Sequence, residues 1–295
     1  KSGRPCYFGR QCGTSKASVG LAATVYSIAR NHNPRLGLGA KVVRSMSTDD
    51  EFAYYVINLD RSKERWQRIN EHLQSMGIGA QRISAVYGAD LPDEEIARYY
   101  TPHLNQKQFF MSLKPAEIGC FMSHLKVLKS FVEQSDKAYA VILEDDVEFI
   151  GDVLAYHAQW LQAVQGEEPV MLKLFSRRQV YGTVVHTNHS TIKPHLVPLG
   201  TQAAVLNRSA AYQLLKAWSQ FGMPVDVAYQ HCWQHGVRVL VTVGNHVNEI
   251  SAQLGGSNIA NKQVLPLTYK IKREFKRSWF RLKLKLISMF YYMTS

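Results

Sequence analysis

The chain has 295 residues, of which 46% are hydrophobic and 20% charged. This composition is typical of a globular protein and excludes a collagen, a disulfide-rich miniprotein and a fully disordered chain. The net charge of +12 is concentrated at the ends: residues 1–48 carry +8 and residues 270–295 carry +7, which leaves −3 for the middle. A nucleic-acid-binding protein more often spreads its basic residues over a folded face, so no nucleic-acid partner is expected. Basic ends also suit an anionic membrane surface.

Residues 1–50 are predicted to be a poorly ordered N-terminal extension, because they are rich in Gly, Ser and Arg. The apolar stretch Val19–Ala29 is as short as the hydrophobic part of a signal peptide, but no convincing cleavage site follows it. The chain has no apolar run of about 18 residues, so no transmembrane helix is expected. Its four scattered cysteines form no C-x-x-C pair, which favours reduced thiols in a cytosolic protein.

Strands and helices are predicted to alternate from residue 51 onward. The apolar run Tyr54–Leu59 indicates a buried strand. Helical spacing of apolar residues follows up to Met76, and Gly77 suits the left-handed residue that ends a helix. Arg82–Val86 is predicted to be the next strand, and this β-α-β start indicates a parallel sheet. Residues 91–113 are mixed in character and are predicted to be mainly loop.

The rest of the predicted domain continues the alternation as far as residue 268. A helix is expected after Pro115, and another from Asp152 to Val164. Further strands are predicted at Ala138–Leu143, Val170–Phe175, Gln202–Leu206 and Val237–Val243, with a helix at Ser209–Trp218. The expected fold class is therefore α/β, with a central sheet flanked by helices.

Three consecutive acids, Glu144, Asp145 and Asp146, directly follow the apolar strand that ends at Leu143. Ligands of open α/β sheets bind at the carboxyl ends of strands. Adjacent carboxylates repel each other, and a divalent cation such as Mg²⁺ or Mn²⁺ neutralises them and then binds phosphate oxygens. The triplet thus predicts a metal site for a nucleotide diphosphate. The alternative is an exposed acidic turn.

The segment before this strand offers further polar residues. Helical geometry places Glu117, Cys120 and His124 on one side of the predicted helix. Together with Ser123, these residues could line a site. The alternative is that Glu117 caps the helix and His124 is an ordinary core histidine.

Residues 269–295 form a basic tail. Its apolar residues recur at nearly helical spacing, and Lys and Arg fill most of the remaining positions: the apolar set is Ile271, Phe275, Trp279, Leu282, Leu286 and Phe290. A basic amphipathic helix of this kind is typical of a membrane-surface element. The alternatives are a helix packed on the domain and, because Leu282–Leu286 alternates with period two, a strand.

Several ordered blocks resemble glycosyltransferase family 25, the lipooligosaccharide and lipopolysaccharide galactosyltransferase-like proteins. The blocks are VINLDRS at 56–62, RISAVYG at 82–88, LKPAEIGCFMSHLKVLK at 113–129, AVILEDDVEF at 140–149, GTQAAVLNRSAAYQLL at 200–215 and MPVDV at 223–227. The blocks lie in the right order, and the resemblance spans roughly residues 54–260, about 70% of the chain.

This resemblance implies a single GT-A-like domain with a central, mostly parallel sheet, and an inverting transfer from a UDP-sugar, most often UDP-galactose. The implied cofactor is Mn²⁺ or Mg²⁺. The implied acceptor is a sugar hydroxyl of a lipid-linked oligosaccharide core. The expected location is cytoplasmic, peripheral on the inner face of the bacterial cytoplasmic membrane, with residues 270–295 on the anionic surface.

The resemblance also implies roles for individual residues. Asp146 and Glu144 are the expected metal ligands. Asp226 and Glu117 are the two candidates for the base that takes the acceptor proton, with Asp226 favoured. The expected nucleotide-sugar site comprises Asn58, Asp60, Arg61, Arg65, Ser123, His124, Glu144 and Asp145.

Residues 245–259 depart from the family pattern, since only Ser257 and Ile259 fit it. This region should close over the diphosphate. His246 is available there as a ligand but is more simply explained as a solvated loop residue. Two rival functions stay open: a nucleotidyltransferase, although no Gly-rich phosphate loop is found, and a weak or inactive membrane-bound adaptor of the same fold.

Overall fold

A computed structural model describes residues 51–185, 190–255 and 267–294. All of these residues belong to one compact unit. The predicted extension over 1–50, with Val19–Ala29, lies outside the described residues, as do Ser257 and Ile259.

Helices and strands alternate as the sequence predicts, and the α/β class is confirmed. The strands are β1 (Phe52–Asn58), β2 (Ala80–Ser84), β3 (Tyr139–Glu144), β4 (Val147–Phe149), β5 (Val170–Lys173), β6 (Gly182–Val184), β7 (Thr191–Pro194), β8 (Ala203–Asn207), β9 (Arg238–Thr242) and β10 (Val247–Glu249). The helices are α1 (Lys63–Ser75), α2 (Asp93–Tyr99), α3 (Pro102–Gln108), α4 (Pro115–Gln134), α5 (Leu154–Val164), α6 (Arg208–Ala217), α7 (Val225–Ala228), α8 (Cys232–His235) and α9 (Leu267–Thr294).

Most predicted elements agree with the structure to within two residues at each end, and two regions need separate comment. The strand predicted at Arg82–Val86 is β2, which begins at Ala80 and ends at Ser84 because it pairs in register with β1. The region 91–113, predicted to be mainly loop, contains the two short helices α2 and α3. The N-terminus of α3 is capped by the Thr101 side chain, which accepts from the Leu104 N–H, and Pro102 occupies its first turn.

The main sheet has the order β2-β1-β3-β8-β5-β9-β7-β6. β1 pairs in parallel with β2 and β3, and β5 pairs in parallel with β9. β8 and β7 are antiparallel to their neighbours. Six of the eight strands described in this sheet therefore run in one direction, as the resemblance implies. A separate antiparallel pair joins β4 to β10.

Helices cover both faces of the sheet, and alternate residues of β1 show how. Tyr55 belongs to a core with α4 and α6, where Phe121 and Leu214 are fully buried. Val56 belongs to the opposite core with α1 and α5, which contains Leu73 and Trp160. Burying both faces of a central strand is the usual reason why its sequence is continuously apolar.

The last helix, α9, packs on the domain through one side. Phe280 lies 5.4 Å from Phe109 and 5.5 Å from Phe110 between ring centroids, and Leu284 and Ser288 are buried. The strand considered for Leu282–Leu286 is therefore wrong, because these residues are helical. The spacing of 3.6 residues per turn extends over the whole segment and prevails over the local alternation.

The other side of α9 carries the six apolar residues that the sequence singled out. We call them the outer stripe: Ile271, Phe275, Trp279, Leu282, Leu286 and Phe290, which are 50–76% exposed. In the described ranges, no helix contains a window that is long and apolar enough to cross a bilayer.

Candidate active site

A cavity of about 390 Å³ opens where β1 and β3 end. Since these two strands are parallel neighbours, their carboxyl ends lie at one edge of the sheet, where such folds bind ligands. Nine of the predicted site residues line this cavity: Arg61, Arg65, Glu117, Ser123, His124, Glu144, Asp145, Asp146 and Asp226. Asn58 and Asp60 are not part of the lining.

Asp145 is held by two residues from the β1–α1 region. The Asn58 side-chain amide donates to its carboxylate at 2.7 Å, and the Arg65 guanidinium donates at 3.2 Å. Asn58 also donates to the Ser62 carbonyl and accepts from the Arg82 Nε, so its side chain is fully engaged behind Asp145. The charge-assisted hydrogen bond from Arg65, together with the one from Asn58, therefore fixes the position of the Asp145 carboxylate.

Asp146 and Glu144 lie in a less favourable environment. Among the described residues, the Oδ1 atom of Asp146 is buried with no hydrogen-bond partner. Burial, reinforced by Asp145, raises the pKa of Asp146 to about 6. Burial, reinforced by Asp146, raises the pKa of Glu144 to about 7, although Thr201 donates a hydrogen bond to it. A bound cation would pair with the unpartnered Asp146 oxygen and offset the repulsion between the buried carboxylates. These oxygen donors therefore fit Mg²⁺ or Mn²⁺.

An ion pair at the cavity rim was not predicted from the sequence. Arg177, just after β5, donates two hydrogen bonds to Glu249 at the end of β10, one of them at 2.7 Å. This pairing raises the pKa of Arg177 and lowers that of Glu249. The Ile250 N–H donates to the Asp146 carbonyl, which anchors the neighbouring segment beside the acids. The available signal in the sequence was the basic residue Arg177, which lies just after the predicted strand at Val170–Phe175.

The two candidate bases line the same cavity from different helices. Glu117 accepts from the Lys114 N–H at 2.7 Å in the first turn of α4, so the predicted capping role is present. Burial raises the pKa of Glu117. Asp226 is half-buried in α7 and accepts from the Val227 N–H at 2.8 Å and the Gly200 N–H at 3.4 Å.

Lys173 lies beneath these carboxylates and is only 2% exposed. Its ammonium donates to the carbonyls of Pro198 and Gly200. Burial lowers the pKa of Lys173 to about 8, and the nearby carboxylates of Asp226 and Glu144 partly offset this shift. This lysine thus orders the 198–201 segment, which supplies the Gly200 and Thr201 donors. The sequence showed Lys173 only as a member of a strand.

The opposite wall is formed by the turn after β2. The Arg61 guanidinium lies 4.0 Å from the Tyr87 ring centroid. Ser123 accepts from the Val86 N–H at 2.8 Å and donates to the Gly119 carbonyl, which joins this turn to α4. The contact is so close that a Cβ on Gly119 would lie 2.4 Å from the Val86 carbonyl oxygen.

Asp60 faces away from this wall. It is exposed and accepts from Ser84 and Arg82, each at 2.7 Å. The Ser84 hydrogen bond and the Arg82 guanidinium hold the pKa of Asp60 below its usual range. Its proposed contact with the nucleotide stays a prediction.

His246 is not a solvated loop residue, and that expectation is wrong. It is 5% exposed, accepts from the Trp160 Nε1 at 3.0 Å and stacks on Tyr156 at a centroid distance of 3.9 Å. Burial lowers the pKa of His246 to about 4. The histidine is therefore a core residue, because the pairing of β10 with β4 carries it inward.

The family described as "Glycosyltransferase family 25 (LPS biosynthesis protein)" matches residues 52–229. A Drosophila melanogaster "Glycosyltransferase 25 family member" is 32% identical over 98 residues, 32% of this chain and 16% of that protein. A Xenopus laevis "Procollagen galactosyltransferase 1-A" is 30% identical over 112 residues, 37% and 18% of the two chains.

A Bos taurus "Probable inactive glycosyltransferase 25 family member 3" is 29% identical over 186 residues, 58% of this chain and 30% of that protein. The chain thus matches less than a third of the length of these relatives.

Two solved structures are similar at low sequence identity. A glycosyltransferase involved in glycosylation of the major capsid of PBCV-1 has a TM-score of 0.38 at 10% identity, covering 64% of this chain and 80% of that one. A Drosophila β-1,4-galactosyltransferase 7 mutant, complexed with manganese, UDP-Gal and xylobiose, has a TM-score of 0.36 at 10% identity, covering 76% and 79%. The match over residues 52–229, which extends from β1 to the end of α7, is more than half of the chain, and the chain belongs to glycosyltransferase family 25.

Proposed function

We propose that this chain is an inverting, metal-assisted glycosyltransferase that moves a hexose from a nucleotide sugar to a sugar hydroxyl. One observation carries the proposal: a single cavity contains both the acids that fit a cation and two further carboxylates, Asp226 and Glu117. A transferase needs these two functions within reach of one substrate. UDP-galactose is the proposed donor, supported by the similarity to the Xenopus procollagen galactosyltransferase.

Asp146 and Glu144 are the proposed metal-binding residues, with Asp145 positioned beside them by Asn58 and Arg65. A bound Mn²⁺ or Mg²⁺ would stabilise the negative charge that develops on the departing diphosphate. Arg177 lies on the same rim, and replacing its bond to Glu249 by a phosphate contact would add a second positive group.

Asp226 is the proposed base. An inverting transfer needs a carboxylate that accepts the acceptor's hydroxyl proton as the new glycosidic bond forms. Both oxygens of Asp226 accept backbone hydrogen bonds, which orient the carboxylate while leaving lone pairs available. Glu117 is engaged in the helix cap and is proposed to orient the acceptor.

The nucleotide is proposed to bind between α4 and the turn after β2. Arg61 and Tyr87 provide a cation and an aromatic face there, and Arg65 extends toward the acids. Ser123 and His124 form the adjacent floor. The Asn58 contribution is indirect, through Asp145.

Thermal shift with a panel of nucleotide sugars, each with and without Mn²⁺, tests this function. A ligand at 100 times its dissociation constant stabilises by about 2.7 kcal/mol. We expect stabilisation by one UDP-sugar in the presence of Mn²⁺, its loss in Asp146→Asn and its retention in Asp136→Asn. Asp136 is a matched control because it is exposed and precedes the same strand that Asp146 follows. No stabilisation by any nucleotide sugar would contradict the proposal and favour the inactive adaptor.

The acceptor is proposed to be a lipid-linked oligosaccharide, with α9 on an anionic membrane surface. The family description supports a lipopolysaccharide acceptor. The outer stripe is exposed, and the basic residues on α9 flank it: Lys270, Lys272, Arg273, Lys276, Arg277, Arg281, Lys283 and Lys285. Each such residue contributes about 1 kcal/mol near an anionic leaflet. This arrangement favours a peripheral position on the inner face of the bacterial cytoplasmic membrane.

Sedimentation with phosphatidylglycerol-containing vesicles tests this placement. Wild type should sediment at low salt and much less with phosphatidylcholine alone. Phe275→Ser combined with Trp279→Ser should abolish sedimentation, whereas Tyr212→Ser, an exposed aromatic on α6, should not. Equal sedimentation of all variants would exclude α9 as the membrane contact.

A further inference from the structure

The floor of the cavity contains buried polar groups whose hydrogen-bonding capacity the proposed transfer does not satisfy. The His124 side chain is 2% exposed, and among the described residues neither of its ring nitrogens has a hydrogen-bond partner. The nearby Tyr229 hydroxyl is likewise buried and unpartnered in the described part of the chain. Buried polar atoms without partners are rare and call for a ligand, an ion or water.

Three different ligand atoms converge at this floor. The Cys120 sulfur, one ring nitrogen of His124 and one carboxylate oxygen of Glu144 all lie within 4.8 Å of one another. Cys120 and His124 are four residues apart on α4, so they share one side of the helix. Glu144 extends toward them from the end of β3. In a tetrahedral zinc site the ligand atoms are about 3.5 Å apart, so each separation would need to contract by at most about 1.3 Å.

The charges of these groups suit a soft cation. Burial lowers the pKa of His124 to about 4, so the imidazole is neutral and its nitrogen can act as a ligand. Burial raises the pKa of Cys120, and Glu144, Asp226 and Glu117 raise it further, so the thiol is protonated until a metal displaces its proton. Thiolate and imidazole favour zinc over magnesium or manganese, which prefer oxygen donors.

We infer that Cys120, His124 and Glu144 form a binding site for Zn²⁺, with solvent or substrate at the fourth position, separate from the oxygen-donor site centred on Asp146. The two sites share Glu144 and the same cavity. Zinc bound at the floor would withdraw Glu144 from the proposed catalytic metal. The site is therefore an inhibitory one, and this last step rests on the proposed glycosyl transfer.

Co²⁺ titration monitored by absorbance tests the site without any activity measurement. A Co²⁺–thiolate bond gives a charge-transfer band in the near ultraviolet, which oxygen and nitrogen ligands do not. The titration uses the full chain carrying Cys6→Ser and Cys12→Ser, because these two cysteines could bind Co²⁺ independently. We expect one equivalent of Co²⁺ to produce the band and Zn²⁺ to abolish it by displacement.

Cys120→Ser should remove the band and weaken Zn²⁺ binding by at least about tenfold. Cys232→Ser is the matched control: Cys232 is the other free cysteine among the described residues, its thiol donates to the Tyr229 carbonyl, and the band should persist. His124→Gln is a second variant that keeps the thiol and should weaken Zn²⁺ binding similarly. Circular dichroism establishes that each variant is folded.

The outcomes separate this inference from the proposed function. A missing band in the parent protein, or an undiminished band in Cys120→Ser, would overturn the zinc site and leave water as the partner of His124. A band with the expected losses, in a protein that binds no nucleotide sugar, would support the site while refuting the transferase. With both intact, added Zn²⁺ should inhibit transfer in the parent protein and much less in Cys120→Ser.

Discussion

The cavity and α9 both contain side chains in energetically unfavourable positions, charged ones buried in the cavity and apolar ones exposed on α9, but the fold treats them differently. In the cavity, several charged side chains are held from other elements: Asn58 holds Asp145, and Lys173 orders the segment that contacts Asp226 and Glu144. On α9, the outer stripe leaves large apolar surfaces exposed. The cavity is thus organised by the fold before a substrate arrives. The outer stripe remains largely exposed in the described fold, so most of its apolar surface is available to a surface outside the chain.

The largest expected effect is on catalysis at Asp226. Asp226→Asn removes the proposed base but keeps an oxygen that accepts from the Val227 N–H, so kcat should fall by about 10²–10⁴-fold. The dissociation constant of the donor should change little. Glu117→Gln should lower kcat less, since the amide oxygen preserves the bond from the Lys114 N–H. Initial rates at saturating donor measure both effects. A larger loss of kcat in Glu117→Gln would indicate that Glu117 is the base and that Asp226 orients the acceptor.

The next effect concerns how the cavity is held together. Lys173→Met removes the ammonium from the carbonyls of Pro198 and Gly200, leaving two polar groups without their donor. The free energy of unfolding should fall by about 3 kcal/mol. Lys129→Met, at an exposed position on α4, provides the control and should change it by less than about 0.5 kcal/mol. Urea titrations of both variants measure the difference. Equal stability of the two would show that the cavity does not depend on Lys173.

A smaller effect separates the two sides of α9. Leu284→Ala, on the packed side, should lower the free energy of unfolding by about 2–3 kcal/mol because Leu284 is buried. Trp279→Ser, on the outer stripe, should change it by less than about 0.5 kcal/mol, because the indole is 64% exposed. Both are measured by urea unfolding without lipid. Equal losses would mean that the outer stripe already packs on protein in solution.

The sequence predicted those parts of the site that depend on a single element. The apolar run before Glu144 identified β3 and placed the acids at its carboxyl end. Helical spacing placed Cys120 and His124 on one side of α4. Each of these inferences uses one local period and no knowledge of a distant residue.

The remaining features depend on pairing between distant segments, which no local period reveals. Glu249 reaches the cavity because β10 pairs with β4 roughly 100 residues earlier in the chain. The same pairing buries His246, which appeared to be a loop residue. Lys173 is a charged residue in a buried strand, and its burial is explained only by the distant 198–201 segment, whose carbonyls accept from its ammonium. Asp60, by contrast, follows β1 as expected but accepts a hydrogen bond from Arg82 and lies outside the cavity lining.

The smallest expected effect is a pH dependence of the free energy of unfolding, which reports the burial and mutual repulsion of Asp146 and Glu144. The folded protein raises the pKa of Asp146 from 3.8 to about 6 and that of Glu144 from 4.5 to about 7. Folding therefore favours their protonated forms. Their contribution to stability is fully present below pH 4 and is lost as the pH rises through 6 to 7.

In metal-free buffer, Asp146→Asn should lose less stability than wild type between pH 5 and pH 8, measured by urea unfolding. Comparing the two proteins removes the contributions of the buried histidines, which are common to both. Adding Mn²⁺ to wild type should oppose the loss at pH 8, because the cation binds the ionised acids. An identical pH dependence in both proteins would show that water, and not the fold, already solvates Asp146. The acids would then resemble the outer stripe of α9, open to solvent, and the contrast between the two regions would disappear.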